Sequence, residues 1–311
     1  MFLLMLAAAL PGVYWEQGPE TAEVLKKAGV ECVHVTPAKV DDWKRARFCA
    51  TAADLSGFEK LTRPGVEFRN DVASATRAPW VISNGWRLLR AGAKPVYYDA
   101  GKGRAELCAA EAFAYGATAL VRAAPADLDR LGAMLGFLKR IDAASLPVQA
   151  NIGFLDDGSP EAGEVMNLFI RRNLLFRIVA APDTRLDLNV RLGSPEYPRA
   201  AASNPSEFAA MVRRKLSDEK RLLRIYGSDV VIGRLTGDGS HARLHLLNYG
   251  GRLVEGLRVR LLGEYKVAKL SQPGGDGEVA DLVAGGGATE FSIPALDTYA
   301  VIDLTAQKDS R

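Results

Sequence analysis

Residues 95–121, PVYYDAGKGRAELCAAEAFAYGATALV, spell out a strand, a loop, a helix and a second strand in one uninterrupted run. Residues 95–98 favour an extended backbone, 99–103 are turn-formers, and 104–115 are rich in alanine, the strongest helix former. Gly116 follows as a helix stop, because glycine takes the left-handed conformation past the last helical residue without a Cβ penalty. Residues 118–121 then re-enter a sheet. A strand that returns through a helix runs the same way as it left, so the unit commits the chain to a parallel pair. Parallel sheets take their ligands beyond the carboxyl ends of the strands, which is where Tyr97, Tyr98 and Asp99 fall.

The same alternation runs on either side. Residues 12–16 read as a strand, 19–28 as a helix opened by Pro19 and closed by Gly29, 31–36 as a strand, 40–45 as a short helix and 47–51 as a strand. A less regular region extends to Arg77, and a strand at 79–83 leads into Asn84, Gly85 and Trp86. Beyond residue 121, Leu128, Leu131, Leu135 and Leu138 recur at helical spacing within 127–141. A strand at 148–155 precedes Ser159 and Pro160, an N-cap and first helical residue, and the helix runs to about Arg172. Strands at 174–180 and 186–190 and a helix at 205–216 complete a second βαβ layer. From Asp229 the pattern turns to short strands between glycine-rich turns, at 230–235, 243–248, 257–262, 291–293 and 299–304. Residues 237–239 form a hairpin connection, and 273–277 read as a loop without an apolar anchor.

Charge excludes one class of partner. The 40 basic residues barely exceed the 37 acidic ones and are scattered, so no nucleic-acid-binding face is expected. The apolar run 2–10 is too short to span a bilayer, and no stable membrane insertion is expected. It has the length of an export signal's core, although no Lys or Arg precedes it; a buried first strand or a shortened start are the other readings. A secreted or periplasmic location is expected, with a cytoplasmic one as the alternative. Cys32, Cys49 and Cys108 lack metal-type spacing and read as small buried hydrophobes. His241 and His245 are four apart but lie in a strand-like run without a third ligand, and His34 in ECVHVTP reads as a core-edge residue. No metal site, cofactor or phosphate-binding loop is read from the sequence. Oligomeric state stays open, a homo-oligomer included.

Three segments together resemble bacterial glycoside hydrolases of the β-galactosidase type. The helix AEAFAYG at 110–116 resembles a helix late in the barrel of that family. FLKRIDAASLPVQANIGFLDDG from Phe137, followed by EVMNLFIRRNLLFRIV, is similar to the transition into its glutamine-amidotransferase-like domain. LHLLNY at 244–249 and FSIPALDTYAVIDL from Phe291 resemble its closing β-domain. Residues 1–10 are the possible signal segment, and the resemblance implies an α/β chain in parts: a shortened TIM-barrel-like βα half at 11–146, an amidotransferase-like α/β middle at 147–228 and a C-terminal antiparallel β-sandwich at 229–311. It implies a carbohydrate ligand or substrate and glycosidic hydrolysis, or a glycan-binding or assembly role on the same architecture. A full barrel takes about 250 residues, so this one is incomplete. The sequence has no Asn-Glu dipeptide, the pair that carries the family's acid/base, and no cysteine in a G-x-C-x-G elbow.

Glycosidic cleavage needs two carboxyl groups across the scissile bond, one of them protonated. Glu16 and Asp99 are the catalytic candidates, each at a strand end behind an aromatic pair, Tyr14-Trp15 and Tyr97-Tyr98, whose faces suit sugar rings. Asn84, Trp86 and Arg87 are candidates for lining the same cleft. The plainer alternative is that both acids cap loops or pair with Arg87 or Arg104. Glu111, among small helical residues, reads as half of a structural salt bridge, and Asp156 and Asp157 as capping residues.

Overall fold

The computed structural model describes residues 10–67, 79–141 and 146–306; the expected leader and the second half of the irregular region before Arg77 lie outside the described residues. The chain divides into two compact units, one of residues 1–65 and 91–145, the other of 66–90 and 146–311. In chain order the first elements are β1 (Gly12–Tyr14), α1 (Ala22–Lys27), β2 (Cys32–Val35), α2 (Val40–Arg45), β3 (Cys49–Ala52) and β4 (Glu59–Leu61). Then come β5 (Gly65–Glu67), β6 (Trp80–Ile82), α3 (Gly85–Ala91), β7 (Val96–Gly101), α4 (Ala105–Ala114), β8 (Ala119–Ala123) and α5 (Leu128–Arg140).

The first unit is a six-stranded parallel sheet in the order β3-β2-β1-β8-β7-β4. It is an open wall, with β3 and β4 at its edges. Alternate residues face opposite ways along a strand. Val33, Val35, Val96, Tyr98 and Val121 have no solvent exposure and, with Val13, share the side on which α4 packs against β7 and β8. Gly116 has φ +65°, and its N–H and that of Ala117 reach back to the carbonyls of Phe113 and Ala112 at 3.0 and 2.9 Å. This is the Schellman arrangement that the sequence pattern predicts. Gly132 serves another purpose: a Cβ there would lie 1.6 Å from the carbonyl oxygen of Ala28, so only glycine lets α5 press against the end of α1.

The cysteine expectation is corrected for two of three residues. Cys32 and Cys49 stand opposite each other on β2 and β3 and form a disulfide across a Cα–Cα distance of 4.5 Å. The helix between the strands sets 17 positions apart two groups that the register brings together, so spacing gave no sign of it. Cys108 is free and fully buried, and burial pushes its thiol pKa up.

In the second unit, β9 (Ile152–Leu155) runs between β10 (Phe176–Ile178) and β11 (Leu188–Arg191) in a parallel sheet carried by α6 (Pro160–Arg171) and α7 (Pro205–Leu216). Ser159 caps α6, its Oγ accepting the Ala162 N–H at 3.2 Å, and Pro160 takes the first turn. The Phe169 ring packs on Phe154, Phe176 and Phe208 at 5.9, 5.8 and 6.5 Å. The expected strand 148–155 splits in two, because Val148 bridges instead to Thr236.

Antiparallel pairing begins at β12 (Leu223–Tyr226), ahead of the expected change at Asp229. It continues through β13 (Val231–Gly237), β14 (His241–Asn248), β15 (Val254–Leu262), β16 (Tyr265–Gln272), β17 (Gly275–Glu278), β18 (Ala280–Gly285), β19 (Ala288–Leu296) and β20 (Tyr299–Ala306). The sheets β12-β15-β19-β18 and β13-β14-β20-β16-β17 share one apolar cluster, including Leu244, Leu257, Phe291, Ile293 and Ile302. The stretch 273–277, expected as a loop, runs instead into β17 paired with β16. Buried Asn173, at φ +51°, ties this part to α6: its amide nitrogen donates to the Val231 carbonyl at 3.3 Å and its oxygen accepts the Gly233 N–H at 2.8 Å.

His245 is buried with its Nδ1 2.6 Å from the Tyr299 hydroxyl, and burial, aided by Arg234 and Arg243, pushes its pKa down to about 3. Arg243 itself pairs with Asp303 at 2.6 Å. His245 is held by a tyrosine, and His241 is exposed beside Asp238, so their four-residue spacing does not bring them to one ligand.

No atom lies within 4 Å of a Cβ placed on Gly116, so the penalty there comes from backbone conformation alone. Gly116→Val should cost roughly 1 kcal/mol or more in urea unfolding, and a variant as stable as wild type would refute the assignment. An unfolded histidine protonates near pH 6.5, whereas folded His245 does so only at about 3. Its contribution is therefore full above pH 6.5 and is lost as the pH falls toward 3, by about 2 kcal/mol between pH 7 and 5. His245→Gln should flatten that part of the stability curve.

Candidate functional site

Strand parity assembles the site. Tyr14 and Asp99 both stand opposite Arg122 in register, and Leu120 stands between Gly12 and Tyr97. Tyr14, Leu120 and Tyr97 pack together as a small apolar layer with Ala53, Leu55 and Phe58. Two residues further along the strands, at their carboxyl ends, lies a charged layer. Arg122 Nε is 3.0 Å from Glu16 Oε2, Arg122 Nη1 is 3.8 Å from Asp99 Oδ2, and Lys60 Nζ is 2.9 Å from the same Asp99 oxygen. Lys39 donates from α2's leading turn to the Glu16 carbonyl.

These charges are accessible. The Glu16 side chain is 56 % exposed, that of Asp99 35 % and that of Arg122 38 %. The hydrogen bond from Lys60, reinforced by the charge of Arg122, holds the Asp99 carboxyl below the usual carboxylate range against the opposing effect of burial. Lys60 is raised by the same contact. Burial raises the Tyr14 phenol, and the charge of Glu16 adds to it. His34, beside Gly12, is half-buried and lowered by burial. Asp99 is thus an ionised carboxylate at neutral pH, suited to hold or attack a cationic centre and unsuited to donate a proton.

The alternation that assembles this face removes one member of each aromatic pair. Trp15 is 2 % exposed on the opposite side, its Nε1 donating to Thr21 Oγ1 at 2.9 Å. Tyr98 has no exposure, and its hydroxyl donates to buried Glu111 at 2.9 Å. Asn84, Trp86 and Arg87 belong to the other compact unit. There Asn84 is buried, Trp86 lies over Gly163 of α6, and the Arg87 guanidinium stacks 4.3 Å from the Trp86 ring centre. Asp156 accepts a bidentate pair from Arg90 at 2.8 Å, while Asp157 accepts the Ser159 N–H and pairs with Arg199; the Ser159 hydrogen bonds first, and Arg199 after them, hold its carboxyl down at about 2. Arg122 and Lys60 were missed. Their signal was a lone cation near the end of a short strand, in ALVRA and in EKL, a place where a charge gains little from burial.

No protein-family model matches the chain, and no curated protein matches it in sequence. Solved structures do. The chain is similar to alpha-L-fucosidase isoenzyme 2 from Paenibacillus thiaminolyticus, with a TM-score of 0.50 at 10 % identity over 70 % of this chain and 60 % of that one. A rhamnosidase from Novosphingobium sp. PP1Y gives 0.49 at 12 % identity, over 82 % and 35 % of the two chains. A GH42 beta-galactosidase from G. stearothermophilus gives 0.40 at 9 %, over 80 % and 53 %. The fold is glycoside-hydrolase-like. The chain spans about 60 % of the fucosidase and 35 % of the rhamnosidase. No described helix is long and apolar enough to cross a membrane.

The Lys60 contact generates a direct test. In a ¹³C NMR titration of the Asp99 carboxyl, wild type should titrate below the ordinary aspartate value, and Lys60→Met should move the midpoint up. An unchanged midpoint would show that Lys60 does not hold the charge.

Proposed function

We propose that the chain is a carbohydrate-active protein that hydrolyses glycosidic bonds at the carboxyl ends of β1, β8 and β7. The observation that carries this reading is the meeting of two accessible carboxylates, Glu16 and Asp99, on one cation, Arg122, above a Tyr14–Tyr97 layer. A sugar ring set on that layer would meet both acids. Asp99, held ionised by Lys60 first, takes the nucleophile or charge-stabilising role, and proton transfer to the leaving oxygen falls to Glu16. The parallel sheet is read as the wall of a shortened barrel, 147–228 as amidotransferase-like and 229–311 as a β-sandwich. The relation to β-galactosidases and a location outside the cytoplasm belong to the same reading. The Cys32–Cys49 disulfide supports the location, since such bonds persist mainly in oxidising compartments.

A second reading, a glycan-binding protein without turnover, is favoured by one observation. Both carboxylates share Arg122, and neither sits in the apolar surroundings that keep a general acid protonated.

Hydrolysis of a panel of aryl glycosides and oligosaccharides separates the two. In the hydrolase reading, Asp99→Asn and Glu16→Gln should each lower kcat by at least about 10²-fold while binding persists, since an amide neither attacks an anomeric carbon nor exchanges a proton. Turnover that survives both substitutions would remove these residues from the mechanism. Binding without release of sugar by wild type would establish the second reading.

A further inference from the structure

The row of residues that carries Asp99 and Arg122 does not stop at Tyr14. Parallel partners in register share a face of the sheet, and the same row runs on from Tyr14 to His34 on β2 and Thr51 on β3. Val33 and Val35 have no solvent exposure on the opposite side, so alternation along the strand leaves His34 to face the same way as Tyr14. The backbone there is fixed. Strand β2 lies between β1 and β3, and the His34 carbonyl accepts the Trp15 N–H at 2.8 Å.

Gly12 decides where the imidazole goes. A Cβ on Gly12 would stand 2.6 Å from His34 Cδ2 and Nε2 and 2.7 Å from Leu120 Cδ2, so a residue without a side chain lets the ring lean across β1 until its Nε2 edge and the Leu120 methyl flank one point above the strand. Leu120 is the residue that Tyr14 and Tyr97 pack with. His34 is thus half-buried at the border of that apolar layer. Among the described residues neither ring nitrogen has a hydrogen-bond or ion partner, and burial alone lowers the pKa. The imidazole is therefore neutral at pH 7, one nitrogen donating and the other accepting. A sugar hydroxyl also donates and accepts, and it matches such a ring better than it matches the ionic groups around Arg122.

We propose that His34 is a substrate-binding residue of this face: its imidazole exchanges hydrogen bonds with a hydroxyl of a sugar set on the Tyr14–Leu120–Tyr97 layer, and the protein selects sugars that carry a hydroxyl toward β2. This rests on the carbohydrate reading of the Glu16–Arg122–Asp99 face and adds to it a specificity determinant. A deoxy sugar would leave a polar ring edge against apolar surface with no partner, so it is rejected by more than the loss of one contact.

Matched sugars isolate the hydroxyl. Methyl β-galactopyranoside, methyl β-glucopyranoside and methyl β-xylopyranoside are titrated calorimetrically into the intact protein, and the one that binds tightest is compared with its monodeoxy derivatives. One derivative should bind about tenfold or more weaker than the parent, and in His34→Leu the parent should fall to the affinity of that derivative while the ranking of the others is kept. His34→Gln, whose amide supplies a donor and an acceptor, should recover part of the difference. Gly12→Ala removes no polar group, yet its methyl would displace the Nε2 edge, so it too should shrink the difference and serves where His34→Leu does not fold. A parent–deoxy difference that survives in folded His34→Leu, or in Gly12→Ala where the first variant does not fold, overturns the proposal and leaves the carbohydrate reading intact. So does a wild type that binds every deoxy derivative as tightly as the parent. Failure to bind any of the three methyl glycosides also overturns the proposal, and if the aryl glycosides and oligosaccharides are neither bound nor hydrolysed the carbohydrate reading falls with it.

Discussion

The first unit depends on one constraint, the strict alternation of side chains along short parallel strands. Val33, Val96 and Val121 must face the helices, and the register then leaves their neighbours no choice but the other side. On that side the strands carry an apolar layer and then a charged one. Tyr14 and Tyr97 flank Leu120, and one step further Glu16, Asp99 and Arg122 converge. The site therefore needs no dedicated loop to build it. Its geometry is a by-product of the sheet's own pleat, extended by residues whose distance from the core leaves room for charge.

Within that face Arg122 is the shared element. A single guanidinium spans acids from two different strands, and its fork of donors lets it engage both without moving. Lys60 approaches Asp99 from the edge strand, so the two acids differ: Asp99 is contacted by two cations and Glu16's carboxylate by Arg122. Environments that make two carboxylates unequal are the starting condition for dividing acid and nucleophile roles between them.

Much of this was legible in the sequence. The helices α2 and α7 fall where capping and periodicity place them, and Gly29 and Gly116 end their helices as expected. The tandem βα pattern gave the parallel sheet, and the two carboxylates named at strand ends both lie beside Arg122. What was hidden shares one physical cause: it depends on register between strands distant in sequence. The Cys32–Cys49 bridge, the pairing of Arg122 with Glu16 and the inward turn of Trp15 and Tyr98 all follow from which residue stands opposite which. Dipeptides such as Tyr97-Tyr98 read as one feature along the chain and become two features, on opposite faces, once the backbone is extended. The edge strands β17 and β18 were missed because glycine and exposed small residues give them little β signature.

The position of β1 carries a consequence for how this unit comes into being. The earliest described strand lies near the middle of its sheet, and Val13 pairs on one side with Val33 and on the other with Val121. One partner is made at once; the other leaves the ribosome only after the chain has departed for a second compact unit and returned at residue 91. Until then β1 has an open edge. Such long-range closure slows folding, and an unfinished parallel edge is a template for the wrong strand. The side chains of Glu16, Asp41 and Asp42 are exposed in that early segment, and β1 gains its second partner only when Ala119–Ala123 pairs beside it.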